Sequence, residues 1–189
     1  MGRIEDLIKR YTDHISLPWQ QNLAGDQKTI FVVYPKEEER RLRARIDVFG
    51  LETTRISLGL KWKTFDCTKV FAEWMATMEY AQTYFEEPEN IEPKLRSAFP
   101  KHVAALLRRT LTAEDVDGRT VVAVYGVASL YGLTKMSLVL REVVNDIRGR
   151  LVLFFPGEFD SNNYRLLDAR DGFNYLAVPI TLGDGAHGV

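Results

Sequence analysis

Apolar residues at steps of three and four open the chain. Ile4, Leu7, Ile8, Tyr11 and Ile15 form one stripe on a helix running from Arg3 to about residue 14, and Leu17-Pro18 ends it. A polar stretch with Gly25 follows. Thr29–Tyr34 is then continuously β-branched and aromatic, too short for a buried helix, and predicts a strand covered on both faces. Pro35 suits a first helical position and Glu37 to Glu39 put negative charge in the first turn. A helix therefore follows to about residue 49, with Leu42, Ile46 and Phe49 inward and Gly50 as its stop. Residues 60–65 alternate apolar with polar, the pattern of a strand with one wetter face near a sheet edge. Thr68 is placed to cap a long helix striped by Phe71, Trp74, Met75, Met78 and Phe85, which Glu86-Glu87-Pro88 breaks. Pro93 and Pro100 each suit a first turn, so two helices are expected there, the second striped by Val103, Leu106, Leu107 and Leu111.

Residues 120–125 form another buried run, ended by Gly126. Met136, Val139, Leu140, Val143 and Ile147 stripe the next helix, for which Gly149 is a candidate cap. A fourth strand is expected at 151–155 and a fifth at 175–178, before Pro179. The Asp171-Gly172 turn signal also allows residues 164–167 to fold back as a hairpin. Alternating strands and helices with crossovers of this length predict an α/β fold: a three-layer α/β/α sandwich with a mainly parallel sheet of about five strands. One domain over residues 1–182 and a loose glycine-rich tail over 183–189 complete the expected organisation.

Composition narrows the function classes. The chain has 189 residues, 46% hydrophobic and 27% charged, enough for one self-sufficient core and too apolar for disorder. The single cysteine, Cys67, and the scattered His14, His102 and His187 match no zinc spacing. No apolar run is long enough to span a bilayer, and the N-terminal segment lacks a signal peptide's apolar centre, so a cytoplasmic location is expected. A net charge of −1 supplies no general attraction for nucleic acid, and no direct specific DNA binding is expected.

In an open parallel sheet, ligands sit beyond the carboxyl ends of the strands. That rule selects Tyr34-Pro35-Lys36, Asp66-Cys67-Thr68, residues 126–134 and residues 155–158. The stretch from Gly126 through Gly132 to Lys135 follows a strand as a phosphate loop would, yet it lacks the lysine followed by a hydroxyl residue, so its glycines are read as turn formers. Ser129 has no Gly-x-Ser-x-Gly setting and is read as a capping or loop serine. Cys67 sits where a helix start would activate a thiol, although buried and inert is the commoner state. Arg40, Arg41, Arg43 and Arg45 follow three glutamates at pairing distance and read as a salt-bridged solvent face, and Trp19 and Trp74 as core anchors.

The densest polar cluster comprises Glu158, Asp160, Asn162, Asn163, Arg165, Asp168, Arg170 and Asp171. Its carboxylates have the chemistry to hold magnesium, but the interleaved arginines favour a loop-stabilising network. With Tyr164 and Phe173 beside them, the same residues also suit a recognition surface.

These segments resemble the BrxB family of the BREX (bacteriophage exclusion) defence systems. The likeness rests on residues 14–19 (His-Ile-Ser-Leu-Pro-Trp), 30–34 (Ile-Phe-Val-Val-Tyr), 71–74 (Phe-Ala-Glu-Trp), 84–86 (Tyr-Phe-Glu), 126–132 (Gly-Val-Ala-Ser-Leu-Tyr-Gly), 148–151 (Arg-Gly-Arg-Leu), 155–158 (Phe-Pro-Gly-Glu) and 163–172 (Asn-Tyr-Arg-Leu-Leu-Asp-Ala-Arg-Asp-Gly). The last block is the most specific, and together they span nearly the whole domain. The resemblance implies a non-enzymatic adaptor or assembly subunit, without a cofactor. It would bind the PglZ alkaline-phosphatase-like protein and other components such as the BrxC ATPase and the BrxX methyltransferase. Tyr164, Arg165, Asp168, Arg170, Asp171 and Glu158 are the expected partner-binding residues. The competing expectation is a nucleotide- or metal-dependent enzyme or sensor using carboxylates at the C-terminal edge of the sheet.

Overall fold

A run that is apolar at every position must be covered on both faces, and the strands with such runs lie at the centre of the sheet. The computed structural model describes residues 2–57 and 59–182. Its strands are β1 (Thr29–Tyr34), β2 (Lys61–Asp66), β3 (Thr120–Tyr125), β4 (Arg150–Asp160), β5 (Asn163–Leu166), β6 (Phe173–Asn174) and β7 (Val178–Thr181). Its α-helices are α1 (Arg3–Ile15), α2 (Glu39–Arg43), α3 (Ile46–Ile56), α4 (Val70–Ala76), α5 (Ala81–Glu86), α6 (Glu92–Leu111) and α7 (Met136–Val143). The fold is mixed α/β, with the main strand order β2-β3-β4-β1-β7. Neighbours along that path pair in parallel, while β5 pairs antiparallel with β4 and β6 antiparallel with β5.

Strand alternation sorts the core into two clusters. Ile30, Val32 and Tyr34 of β1, Val152 and Phe154 of β4 and Ile180 of β7 face Leu7 and Tyr11 of α1 and Leu42, Ile46 and Phe49 of α2 and α3. Phe31 and Val33 of β1 and Leu151, Leu153 and Phe155 of β4 face the other way, toward Trp74, Val103, Leu107 and Leu140 of α4, α6 and α7.

Several element boundaries differ from the sequence expectations. The helix expected up to residue 49 is two, α2 and α3, and Gly50 lies inside α3 rather than ending it. The long helix after Thr68 stops at Ala76, where both the main-chain N–H and the hydroxyl of Thr77 donate to the Trp74 carbonyl and close the turn. Thr68 does not cap it; Lys69 stands at that position. The two helices expected around Pro100 are one, since α6 runs through this buried proline and forgoes a single intrahelical bond. The fifth strand begins at Val178 and contains Pro179, which is accommodated because β7 is the edge strand among the described residues, paired with β1.

The largest difference concerns β4. It does not end at Phe155 but runs to Asp160 and turns back through Ser161 and Asn162, both at positive φ as a tight two-residue hairpin requires. This hairpin, with β6 and the segment leading to β7, packs over Phe31 of β1 and Phe155 of β4 on the same face of the sheet as α6 and α7. Phe31 contacts Tyr164 at 4.4 Å between ring centroids and stacks on Tyr175 at 5.6 Å. The predicted tail, residues 183–189, and His187 lie outside the described residues.

At the opposite edge, β2 is tied down by charge. Lys61 reaches Asp117 at 2.7 Å and Lys63 reaches Asp115 at 2.6 Å. The Lys61 ammonium, with the Arg119 backbone N–H, holds Asp117 down to about 2 from an ordinary 3.8, and Lys63 lowers Asp115 in the same way. A carboxylate more acidic in the folded chain than in the unfolded one adds stability that is complete above about pH 4 and lost as pH falls toward 2. Asp117→Asn is therefore expected to melt below the wild type at pH 5, with the gap closing by pH 2. A gap that is unchanged with pH in thermal melts at each value would refute this.

Candidate functional site

The carboxyl ends of β1, β2 and β3 meet at Arg43. Its Nε donates to Glu39 at 2.8 Å and its Nη2 to Thr68 Oγ1 at 2.6 Å, while its guanidinium lies 5.8 Å from the Tyr125 ring centroid. Asp66 accepts from the Thr68 backbone N–H at 2.9 Å and from the Thr68 hydroxyl, and Tyr34 donates to Glu39. Gly126 closes the knot at φ +74°, where a Cβ would stand 2.6 Å from Arg43 Nη2 and 2.7 Å from both Asp66 Oδ1 and Thr68 Oγ1. The glycine is thus a turn former, as its spacing suggests. Arg43 makes the expected pair with a preceding glutamate, Glu39, but is half-buried rather than on a solvent face, and through Glu39, Thr68 and Tyr125 it links three strand ends. Such internally matched polar groups leave little free hydrogen-bonding capacity for a ligand.

Cys67 lies under this knot with no exposure. Burial, with the nearby Asp66 charge, pushes its thiol up to about 12, so it stays protonated and unreactive at neutral pH. Ellman's reagent at pH 8 is expected to find no reactive thiol in the folded chain and one equivalent after guanidinium unfolding. Stoichiometric labelling of the native protein would overturn the assignment.

The open space lies on the other side of the hairpin. A half-open groove of about 510 Å³ runs between the N-terminal half of α6 (Leu95, Arg96), the loop entering α7 (Tyr131 to Met136) with Leu138, and the chain after β5 (Leu166, Ala169 to Phe173). Its lining is mostly apolar, with Arg96, Lys135, Arg170 and Asp171 as the charged groups. The volume falls within the roughly 300–1,000 Å³ typical of binding pockets. Tyr131 is 47% exposed and Leu138 38%, both large apolar side chains left at the groove's edge.

The expected partner-binding residues occupy four separate places. Arg170 and Asp171 line the groove. Glu158 and Arg165 face each other across β4 and β5 in an exposed pair at 2.9 Å, and Asp168 is held by Lys36 beyond the end of β1. Tyr164 does not belong to the surface at all. It is fully buried among Phe31, Phe155, Phe159 and Phe173, and its hydroxyl donates to the Ala177 carbonyl at 3.3 Å. Strand alternation explains the split, because Tyr164 and Arg165 are neighbours in sequence and point to opposite faces of the hairpin.

Sequence reasoning also selected Tyr131 to Thr134, within residues 126–134, and missed the groove's other walls on α6 and α7. One signal was present: Leu138 falls off the apolar stripe of α7, and a leucine on the outward face of an amphipathic helix marks a surface that something else covers. Nothing local pointed to Leu95 or Arg96, which only the packing of α6 beside α7 brings to the groove. Ser129 makes no hydrogen bond to a histidine or carboxylate among the described residues. No three metal-ligating side chains converge among them either. Among the described residues no helix is long and apolar enough to cross a membrane.

Comparison with family models, curated proteins and solved structures finds no match to this chain.

Proposed function

We propose that this chain is a non-enzymatic adaptor or assembly subunit that docks a larger protein. As its BrxB-like segments imply, it would serve a cytoplasmic BREX anti-phage complex in which the PglZ alkaline-phosphatase-like protein is the direct partner and the BrxC ATPase and BrxX methyltransferase are neighbours. One observation carries the reading. The strand ends where an α/β enzyme presents its reacting groups are occupied by a self-satisfied knot around Arg43, while the groove beside α7 is mostly apolar and edged by tyrosine, leucine and arginine. Tyrosine and arginine are among the residue types enriched where proteins meet.

We read the body as a three-layer sandwich in which the β4–β5 hairpin substitutes for a helix over β1. That makes the segment after β4 part of the core and leaves its far side for docking. A nucleotide- or metal-dependent role would need the carboxylates after β4 to converge, and Glu158 and Asp168 are instead engaged by separate cations. The test is co-purification of the full chain with each of the three components. A complex with the PglZ-like protein is expected, and failure to associate with any of them would discard the proposal.

A further inference from the structure

We infer that the groove beside α7 receives an acidic, apolar-faced segment of the partner protein. The inference rests on the adaptor reading and adds the chemistry of what is docked. Leu95, Leu133, Leu138 and Leu166 supply the apolar walls, so an occupant must bring apolar side chains to displace water from them. Charge then selects among such occupants.

Several cations on the rim are matched: Lys36 by Asp168, Arg165 by Glu158 and Arg43 by Glu39. In the groove the match fails. Lys135, from the loop entering α7, and Arg170, from the chain after β5, have no ion-pair partner among the described residues. Arg96 stands on a third wall with its charge shared with Glu92, and Asp171 is the groove's one carboxylate. The first turn of α7 opens here as well, with no side chain capping it, and its dipole adds to the positive field.

An apolar floor between two unmatched cations from different walls complements a segment that alternates leucine-like and carboxylate side chains. It does not complement a phosphate backbone, which would leave the leucines wet. Tyr131 and Leu138, exposed at its mouth, extend the apolar surface past the groove, which suits a docked segment better than an enclosed small ligand.

The test uses the full chain with the PglZ-like component. Lys135→Glu and Arg170→Glu together are expected to weaken the complex tenfold or more while leaving the melting temperature unchanged, since both side chains are exposed. The wild-type complex should weaken with added salt and the double variant's should not. A photoreactive phenylalanine derivative at position 138 should cross-link, within that complex, to a partner peptide of net negative charge. If the wild type binds and the double variant binds equally well, or if the cross-linked peptide is basic, this inference falls and the adaptor reading stands. If the wild-type chain forms no complex, both fall. A melting temperature raised by ATP with magnesium in the wild type but not in the double variant would assign the groove to a small ligand and also overturn the inference.

Discussion

Tyr164→Ala is expected to destabilise the protein by about 3–5 kcal/mol, the cost of emptying a large aromatic site in a packed core. For a chain of this size that corresponds to a fall in melting temperature of roughly 6–20 °C. The ring is fully buried and lies 4.4 Å from Phe31 and 4.6 Å from Phe159 between centroids, so its removal opens a cavity at the seam between hairpin and sheet. Tyr164→Phe keeps the ring and removes only a long hydrogen bond to Ala177, and should cost about 1 kcal/mol. Guanidinium unfolding of both variants separates two roles for this tyrosine. A docking residue would lose partner binding as alanine without losing stability; the buried residue described here loses stability first, and any binding defect follows from it. An alanine variant as stable as wild type would show that the hairpin does not form part of the core.

Gly149→Ala is the second large effect, expected at about 3 kcal/mol, the upper end of the usual cost of overpacking. Gly149 immediately precedes β4 and is buried against the start of β3. A Cβ there would stand 2.1 Å from the Thr120 carbonyl oxygen and 2.9 Å from its backbone nitrogen. Both are main-chain atoms, so relief requires β3 and β4 to part rather than a side chain to turn. The sequence suggests a different role, a helix cap, but α7 ends at Val143 with a further single turn before Gly149. The two roles differ in how they respond to asparagine. Asparagine tolerates the left-handed conformation of a cap and would restore it, whereas it carries the same Cβ and fails where the requirement is close approach. Gly149→Asn should therefore be at least as unstable as Gly149→Ala in thermal melts. Recovery of stability by asparagine would restore the cap assignment.

The sequence expectations succeeded where a residue's role depends on its near neighbours. Residues 29–34 and 120–125 are β-branched, aromatic or small at every position and became β1 and β3, buried on both faces. The alternating run at 60–65 became the edge strand β2, held by its two lysines. The expectations failed where the outcome depended on what lay across the sheet. The breaks at Thr77 and between α2 and α3, and the continuity of α6 through Pro100, follow from which helix face found a partner. Each costs or recovers only a hydrogen bond or two, a difference local patterns do not resolve.

The candidate site divides in the same way. Its polar residues were visible as a dense cluster after β4, and Arg170 and Asp171 line the groove as that cluster suggested. Tyr164 stood among them and went to the core, because a period of two turns adjacent residues to opposite faces once the segment pairs as a strand.

By itself, then, the order of apolar and polar residues determined that this chain buries its strands under amphipathic helices, that its one thiol lies at a strand end, and which segment carries its loose charge. Tertiary structure alone decided that β4 overruns the sheet and folds back as cover for β1, that Arg43 links three strand ends into a closed knot, and that Lys135 and Arg170 face an apolar groove without ion-pair partners among the described residues. The reason is physical: periodicity along the chain reports which face of an element is apolar, whereas matching of charges and filling of space depend on residues far apart in sequence, which the fold alone brings together.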